Sequence, residues 1–121
     1  MGLDTFASRS PDEVVLTDDD LAAFTKEGIS LCGGIFSGNG NDGSFRGKVY
    51  ILLVSGITDV FLNQEWISPE TVRTMYESLM QCDPQQACEE YGFRNTPEDV
   101  IQLRKFFKVC VQQGFGLIGC F

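Results

Sequence analysis

The chain has 121 residues, a length typical of one domain, and 43% of them are hydrophobic, which favours a folded core over disorder. Seventeen acidic and nine basic residues give a net charge of −8, which argues against nucleic-acid binding and against attraction to an anionic membrane surface. The chain contains no histidine, so histidine-based nucleophile pairs, general bases and metal ligands are excluded. We therefore expect a single globular domain over residues 1–121.

The first part of the chain predicts a strand, a helix and a second strand. Residues 2–7, GLDTFA, are typical of a short strand. The segment LTDDDLAAFTKEG predicts a helix, because Thr17 can cap it, three aspartates place negative charge in its first turn, and Gly28 can end it. The acidic triplet could instead bind a metal ion, but the helix start explains it better. Residues 29–36, ISLCGGIF, predict a strand that is kinked at its glycine pair.

A glycine-rich loop, FSGNGNDGSFRGK, spans residues 36–48 and leads into an apolar segment. We expect a helix to begin at Phe45. The segment is apolar on nearly all sides, which predicts a buried central helix, although its β-branched residues leave a strand as the alternative. The helix would place five residues with helical spacing on one face: Phe45, Val49, Leu52, Leu53 and Gly56.

Three further helices are predicted from a shared start signal, in which a capping side chain precedes a proline at the first helical position. These starts are Ser68-Pro69, Asp83-Pro84 and Thr96-Pro97. The last seven residues, FGLIGCF, predict a buried terminal strand. The sequence therefore predicts an α+β fold, in which a small sheet of the N-terminal, 29–36 and C-terminal strands is covered by about five helices.

The glycine-rich loop partly matches known binding motifs. Gly38, Gly40 and Gly43 spell G-x-G-x-x-G, but the sequence lacks the doubly wound series of β-α units that surrounds a dinucleotide site. The triphosphate-binding motif fails because Asp42 stands where its first glycine is required. The calcium-binding nonapeptide repeat works only as stacked copies, and the chain carries a single partial one. We therefore expect no nucleotide cofactor and no metal ion.

A narrower hypothesis concerns the end of this loop. Ser44 could cap the helix that begins at Phe45, with Arg46 and Lys48 in its first turn. Free backbone N–H groups together with two cations would form a pocket for an anion. The alternative is a mobile surface turn rich in glycine and asparagine. The predicted ligand-binding residues are Gly43, Ser44, Arg46 and Lys48.

Trp66 and the cysteines complete the set of candidate residues. Trp66 could pack against the helix that follows it, or it could anchor a partner protein, which makes it a candidate partner-binding residue. The cysteines are odd in number and irregularly spaced, which predicts reduced thiols rather than a disulfide framework. Cys32 is the best candidate for a reactive thiol, although a buried strand cysteine is the ordinary interpretation. The five cysteines are Cys32, Cys82, Cys88, Cys110 and Cys120.

The stretches MGLDTFASRSP, LCGGIFSG, SFRGKVY and EWISPETVR resemble a group of small uncharacterised bacterial proteins. The resemblance implies a bacterial, single-domain, cytoplasmic protein, and it implies no activity and no catalytic residue. The first twenty residues contain six acidic side chains and no apolar stretch of the kind found in signal peptides, which also favours a cytoplasmic location.

Two functions of different classes fit these features. The leading hypothesis is a non-enzymatic cytoplasmic module that binds another protein, because the chain is acidic, lacks histidine and is rich in aromatic residues. The alternative is a binding protein or enzyme that holds a small anionic ligand with residues 38–48. Neither hypothesis includes a nucleic acid or a membrane as a partner.

Overall fold

The computed structural model describes residues 3–12, 16–32, 42–92 and 94–120. Within these residues it contains three strands and five helices, so the predicted α+β fold is confirmed. None of these helices is long and apolar enough to cross a membrane. In chain order the elements are β1 (Asp4–Ser8), α1 (Asp18–Glu27), β2 (Ser44–Arg46), α2 (Gly47–Thr58), α3 (Pro69–Gln81), α4 (Pro84–Tyr91), α5 (Pro97–Gln113) and β3 (Gly116–Cys120).

The sheet is antiparallel, and β1 lies between β2 and β3. Asp4 stands opposite Arg46 on one side and opposite Cys120 on the other. The pairing with β3 includes all five residues of β1. The two terminal strands predicted from the sequence are therefore direct neighbours, and their pairing brings the two ends of the chain together.

The remaining strand is not where the sequence predicted it. Of the predicted strand 29–36, the first four residues form no regular structure, and the others lie outside the described residues. The N–H groups of Ser30 and Cys32 donate to side chains, to Gln102 Oε1 at 2.8 Å and to the Tyr50 hydroxyl at 2.7 Å. Because side chains satisfy these backbone donors, the segment does not need a strand partner. Strand β2 takes its place beside β1.

The core contains a cluster of phenylalanine rings that are completely excluded from solvent. We call it the aromatic cluster. The ring of Phe106, in α5, lies 4.9 Å from that of Phe24 and 4.8 Å from that of Phe45, measured between centroids. Phe107 and Phe115 complete the cluster. Helix α5 also packs against α1, α3 and α4, so the cluster joins the sheet to most of the helices.

The predicted starts of α1, α3, α4 and α5 are confirmed, together with several caps. Thr17 and Asp20 form a reciprocal capping box at the start of α1, with N···O distances of 3.1 and 3.2 Å. Ser68 and Asp83 accept backbone N–H groups at the starts of α3 and α4. Gly28 ends α1 in the left-handed conformation, at φ 65°. These local signals satisfy backbone groups that a helix end leaves unpaired.

Residues 62–67 cover the outer edge of β3. Ile67 and Leu117 exchange backbone hydrogen bonds of 2.8 and 2.9 Å, and the Gly119 N–H donates to the Gln64 carbonyl at 2.9 Å. A Cβ atom on Gly119 would lie 2.6 Å from that carbonyl oxygen. The close approach therefore requires glycine at this position.

Candidate functional site

The start of α2 differs from the sequence-based expectation. Ser44 lies in β2, and its hydroxyl donates to Asp42 Oδ1 at 2.9 Å. The helix begins at Gly47, and Arg46 occupies the N-cap position without a side-chain capping hydrogen bond. The prediction that Ser44 caps a helix beginning at Phe45 is therefore wrong. It is wrong because β2 pairs with β1, and this pairing keeps Ser44 and Phe45 in an extended conformation.

Helix α2 is buried on one face only. Tyr50 and Leu53 face the core and are almost completely buried. Val49 and Leu52 are 40% and 65% exposed, although the sequence pattern placed them on a buried face. The predicted burial of Val49 and Leu52 is wrong because the helical face was counted from Phe45, which belongs to β2. The face that the helix buries is rotated away from these two residues.

The exposed face of α2 forms one wall of a groove, which we call the α2–α4 groove. The end of α4 and the loop that leads to α5 form the opposite wall. The groove has a volume of about 550 Å³, within the range of ligand pockets in proteins. It is lined by Arg46, Lys48, Val49, Ile51, Leu52, Tyr91, Gly92, Arg94 and Asn95.

The ring of Tyr91 forms the α4 wall and rests on α2 at Gly56. A methyl group on Gly56 would overlap the Cγ atom of this ring, so glycine is required for the contact. Tyr91 remains 36% exposed. A hydrogen bond with the Glu90 side chain, together with the charge of that carboxylate, raises the pKa of Tyr91. The Tyr91 phenol is therefore protonated and uncharged at neutral pH.

Asn95 holds the loop between α4 and α5 against the first turn of α2. Its Nδ2 atom donates to the Val49 carbonyl at 3.2 Å and to Asp99 Oδ2 at 3.3 Å. The same carboxylate oxygen accepts the Thr96 N–H at 3.0 Å, at the start of α5. The Asn95 N–H donates to the Gly92 carbonyl at 2.9 Å. These bonds connect the two walls and fix the width of the α2–α4 groove.

Three cations border the groove, Arg46 and Lys48 at the start of α2 and Arg94 in the loop before α5. They are three of the nine basic residues in a chain of net charge −8. No carboxylate is among the described residues that line the groove. The first turn of α2 itself carries no acidic residue that would neutralise the positive end of the helix dipole. Cations thus outnumber carboxylates among the described residues that line the groove, while Glu90 and Asp99 contact the lining residues Tyr91 and Asn95.

The structure brings together two of the four predicted ligand-binding residues. Arg46 and Lys48 line the groove, whereas Gly43 and Ser44 are buried and do not. Gly43 has a left-handed φ of 82° directly before β2, which explains why a glycine is present there. The first two glycines of the G-x-G-x-x-G motif lie outside the described residues.

Tyr91, Arg94 and Asn95 were not recognised as site residues from the sequence. Asn95 lies 46 positions after Val49, the residue whose carbonyl it contacts, and no local pattern connects the two. One signal was available. Gly56 lies inside an apolar helical segment, where a glycine costs stability and indicates that another group approaches closely.

Trp66 and the cysteines are not among the residues that line the groove. Trp66 packs over the start of β3, where a Cβ on Gly116 would lie 2.5 Å from its Cη2 atom, and its role as a partner anchor stays a prediction. All five cysteines are free thiols. Cys32 is exposed and lies in no strand, so the interpretation as a buried strand cysteine is wrong. Burial raises the pKa of Cys88 and Cys110, which keeps both thiols protonated.

Among the described residues, no group of three or more acidic, cysteine or histidine side chains could hold a metal ion. No family model matches the chain, and comparisons with curated proteins and with solved structures give no match.

Proposed function

We propose that the protein is a non-enzymatic module that binds another protein through the α2–α4 groove. The observation that carries this proposal is the exposure of three large apolar side chains, Val49, Leu52 and Tyr91, beside three cations. Exposed apolar surface rimmed by polar groups is typical of protein interaction sites. A partner that covers this surface gains about 25 cal/mol for each Å² of apolar area removed from water.

The residue types of the groove also suit an interface. Tyrosine and arginine are enriched among the residues that dominate binding energies, and the groove contains Tyr91 together with Arg46 and Arg94. The hydrogen bonds of Asn95 hold one wall in place before a partner arrives. A surface that is ordered in advance loses less conformational entropy on binding, which supports a useful affinity from a small contact area.

The groove offers few groups for catalysis. Its titratable side chains, among the described residues, are three cations and Tyr91, whose pKa is raised by Glu90. A general base needs a pKa near the working pH, and a nucleophile needs a lowered pKa or an adjacent base. This composition supports a binding role over an enzymatic one.

We also propose a cytoplasmic location. Five free thiols, two of them buried, suit a compartment in which cysteines stay reduced. The resemblance to small bacterial proteins stays a prediction. A reporter fusion to the chain, localised by fractionation of the cells that express it, would test the compartment, and recovery outside the cytoplasm would contradict the proposal.

The binding function is tested by selecting peptides that bind to the protein. A displayed library of random peptides is panned against the intact protein, and the selected peptides are measured by fluorescence anisotropy. We expect Leu52→Ser to weaken their binding by at least about ten-fold, because the variant removes the most exposed apolar side chain of the groove.

A matched control is Phe61→Ser, which removes another exposed apolar side chain. Phe61 is 52% exposed and does not line the groove. This variant is expected to bind the selected peptides as the wild type does. If no peptide is selected, or if Leu52→Ser and Phe61→Ser bind them equally well, the groove is not a protein-binding site.

A second candidate function is the binding of a small anionic molecule. The volume of about 550 Å³ and the cations at the start of α2 favour it. A thermal-shift panel of phosphates, nucleotides and carboxylates would detect such a ligand. A rise in melting temperature that disappears in the Arg46→Ala/Lys48→Ala variant would support this function, and the absence of any shift would contradict it.

A further inference from the structure

We infer that the partner segment of the α2–α4 groove is an acidic peptide with one large apolar anchor residue. This inference rests on the proposed protein-binding function and names the chemistry of the partner. The groove joins two surfaces that complement different chemical groups. These are an apolar strip along α2 and α4 and a border of three cations. A segment that satisfies both must carry apolar and negative side chains close together.

The apolar requirement follows from the spacing of the groove residues. Val49 and Leu52 are three positions apart on α2, so their side chains are neighbours on one helix face. The Tyr91 ring stands on the other wall, supported from below by Gly56. One apolar side chain placed between these walls would contact all three groove side chains and exclude water from Leu52, which is the most exposed of them.

The acidic requirement follows from the charges around the strip. Arg46 and Arg94 belong to different elements and border the same groove, and guanidinium groups can hold a carboxylate with two parallel hydrogen bonds. Lys48 adds a third positive charge. Neither Arg46 nor Arg94 forms an ion pair with another described residue, so a partner segment can supply the carboxylates that complement these two guanidinium groups.

The net charge of −8 does not prevent an acidic segment from binding here. Charges interact weakly beyond the Debye length, which is about 8 Å at physiological ionic strength. A peptide in the groove would lie directly beside Arg46 and Arg94, whereas acidic residues beyond the Debye length would affect it only weakly. The overall charge instead disfavours a large acidic partner surface, which supports recognition of a short segment.

The test compares three peptide sets with identical apolar positions and different flanking residues, which are Asp and Glu, Ser and Gln, or Lys and Arg. Affinities for the intact protein are measured by fluorescence anisotropy at fixed ionic strength. We expect the acidic set to bind at least about ten-fold tighter than the neutral set and the basic set to bind weakest. We expect Arg46→Gln/Arg94→Gln to remove the preference for the acidic set, so that the ratio of the affinities for the acidic and neutral sets falls to about one.

The matched control is Arg73→Gln, which neutralises an exposed arginine on α3 that does not line the groove. It is expected to keep the full preference for the acidic set. Arg94→Gln alone serves as the test variant if the double variant does not fold, since Arg94 lies in an exposed loop. Melting temperatures of all variants show which of them are folded.

The possible outcomes distinguish the proposal of an acidic partner from the proposal that the groove binds protein. Equal or tighter binding of the neutral or basic sets would overturn the acidic partner and leave protein binding in place. Loss of the preference in Arg73→Gln as well would also overturn it, because the effect would then be one of net charge. Binding of none of the sets would overturn both proposals, and displacement of the acidic set by inorganic phosphate alone at equal affinity would assign the groove to small anions.

Discussion

The aromatic cluster and the α2–α4 groove are both rich in apolar side chains, and they differ in what covers them. In the aromatic cluster, the five phenylalanine rings contact one another and are completely buried. In the groove, Leu52 and Val49 face solvent on the same helix that buries Leu53. The sequence pattern predicted that α2 is buried on nearly all sides, but burial occurs only where another element of the fold packs on top.

The largest effect is expected from removal of β3. A chain that ends at Gly114 loses the strand that pairs with all five residues of β1, and it loses Phe115 from the aromatic cluster. We expect this truncation to abolish cooperative unfolding, measured by circular dichroism during heating. A truncated chain that melts as the full chain does would show that the aromatic cluster does not depend on the terminal strand.

A matched pair of substitutions measures the difference between the two regions. Phe106→Ala is expected to lower the free energy of unfolding by about 3–5 kcal/mol, because it opens a cavity among buried rings. Leu52→Ala is expected to change it by less than about 0.5 kcal/mol, because Leu52 is exposed. Urea unfolding of both variants gives the two values. Similar values would mean that the groove is part of the stabilising core.

Arg104 connects the buried helices to the turn that leads into α4. Its Nε atom donates to the Leu79 carbonyl at 2.7 Å and its guanidinium also donates to the Cys82 carbonyl at 2.8 Å, at the end of α3. We expect Arg104→Ala to cost about 1–3 kcal/mol in urea unfolding, since charged donors at two carbonyls are lost. Arg104→Lys should recover only part of this, because an ammonium lacks the fork geometry. Full recovery by lysine would contradict that account.

The smallest effect concerns a charge pair at the border of the aromatic cluster. Arg9 lies over the Phe115 ring and bonds Asp20 Oδ1 at 2.7 Å. The hydrogen bond with Arg9 lowers the pKa of Asp20, while burial acts in the opposite direction. A lowered folded-state pKa stabilises the fold above the unfolded value of about 3.9, and this contribution is lost as the pH falls through the folded-state pKa.

We therefore expect the difference in the free energy of unfolding between the wild type and Arg9→Gln to become smaller as the pH falls from about 6 to about 2. Urea unfolding across this range measures it. Arg73→Gln is the control, because Arg73 is an exposed cation that forms no ion pair with the other described residues. A difference that stays constant with pH would mean that Arg9 stabilises the fold through Phe115 rather than through Asp20.

The parts of the fold that the sequence predicted correctly are those with local physical causes. Thr17, Ser68 and Asp83 cap helices through atoms two or three residues away, so their signals are contained in short segments. The predicted strand 29–36 is absent from its described part, residues 29–32, because distant side chains, Gln102 and the Tyr50 hydroxyl, accept the backbone N–H groups of Ser30 and Cys32.

Only one wall of the α2–α4 groove, the start of α2, could be predicted from the sequence. Arg46 and Lys48 were found because cations at a predicted helix start are visible in the sequence. Tyr91 and Arg94 belong to a wall that tertiary packing places against α2. The apolar periodicity of either segment does not reveal that the two walls face each other, because this depends on how two helices that are distant in sequence pack together.

The covering of the sheet edges limits how other chains can associate with this protein. Exposed strand edges are templates on which foreign strands add and aggregates grow. Here the backbone of residues 64–67 occupies the outer side of β3, and the Cys32 carbonyl accepts the Arg46 N–H on the outer side of β2. Both flanks of the described sheet thus have backbone partners within the chain. A partner must therefore recognise side chains, since strand addition to this sheet would first require one of these segments to detach.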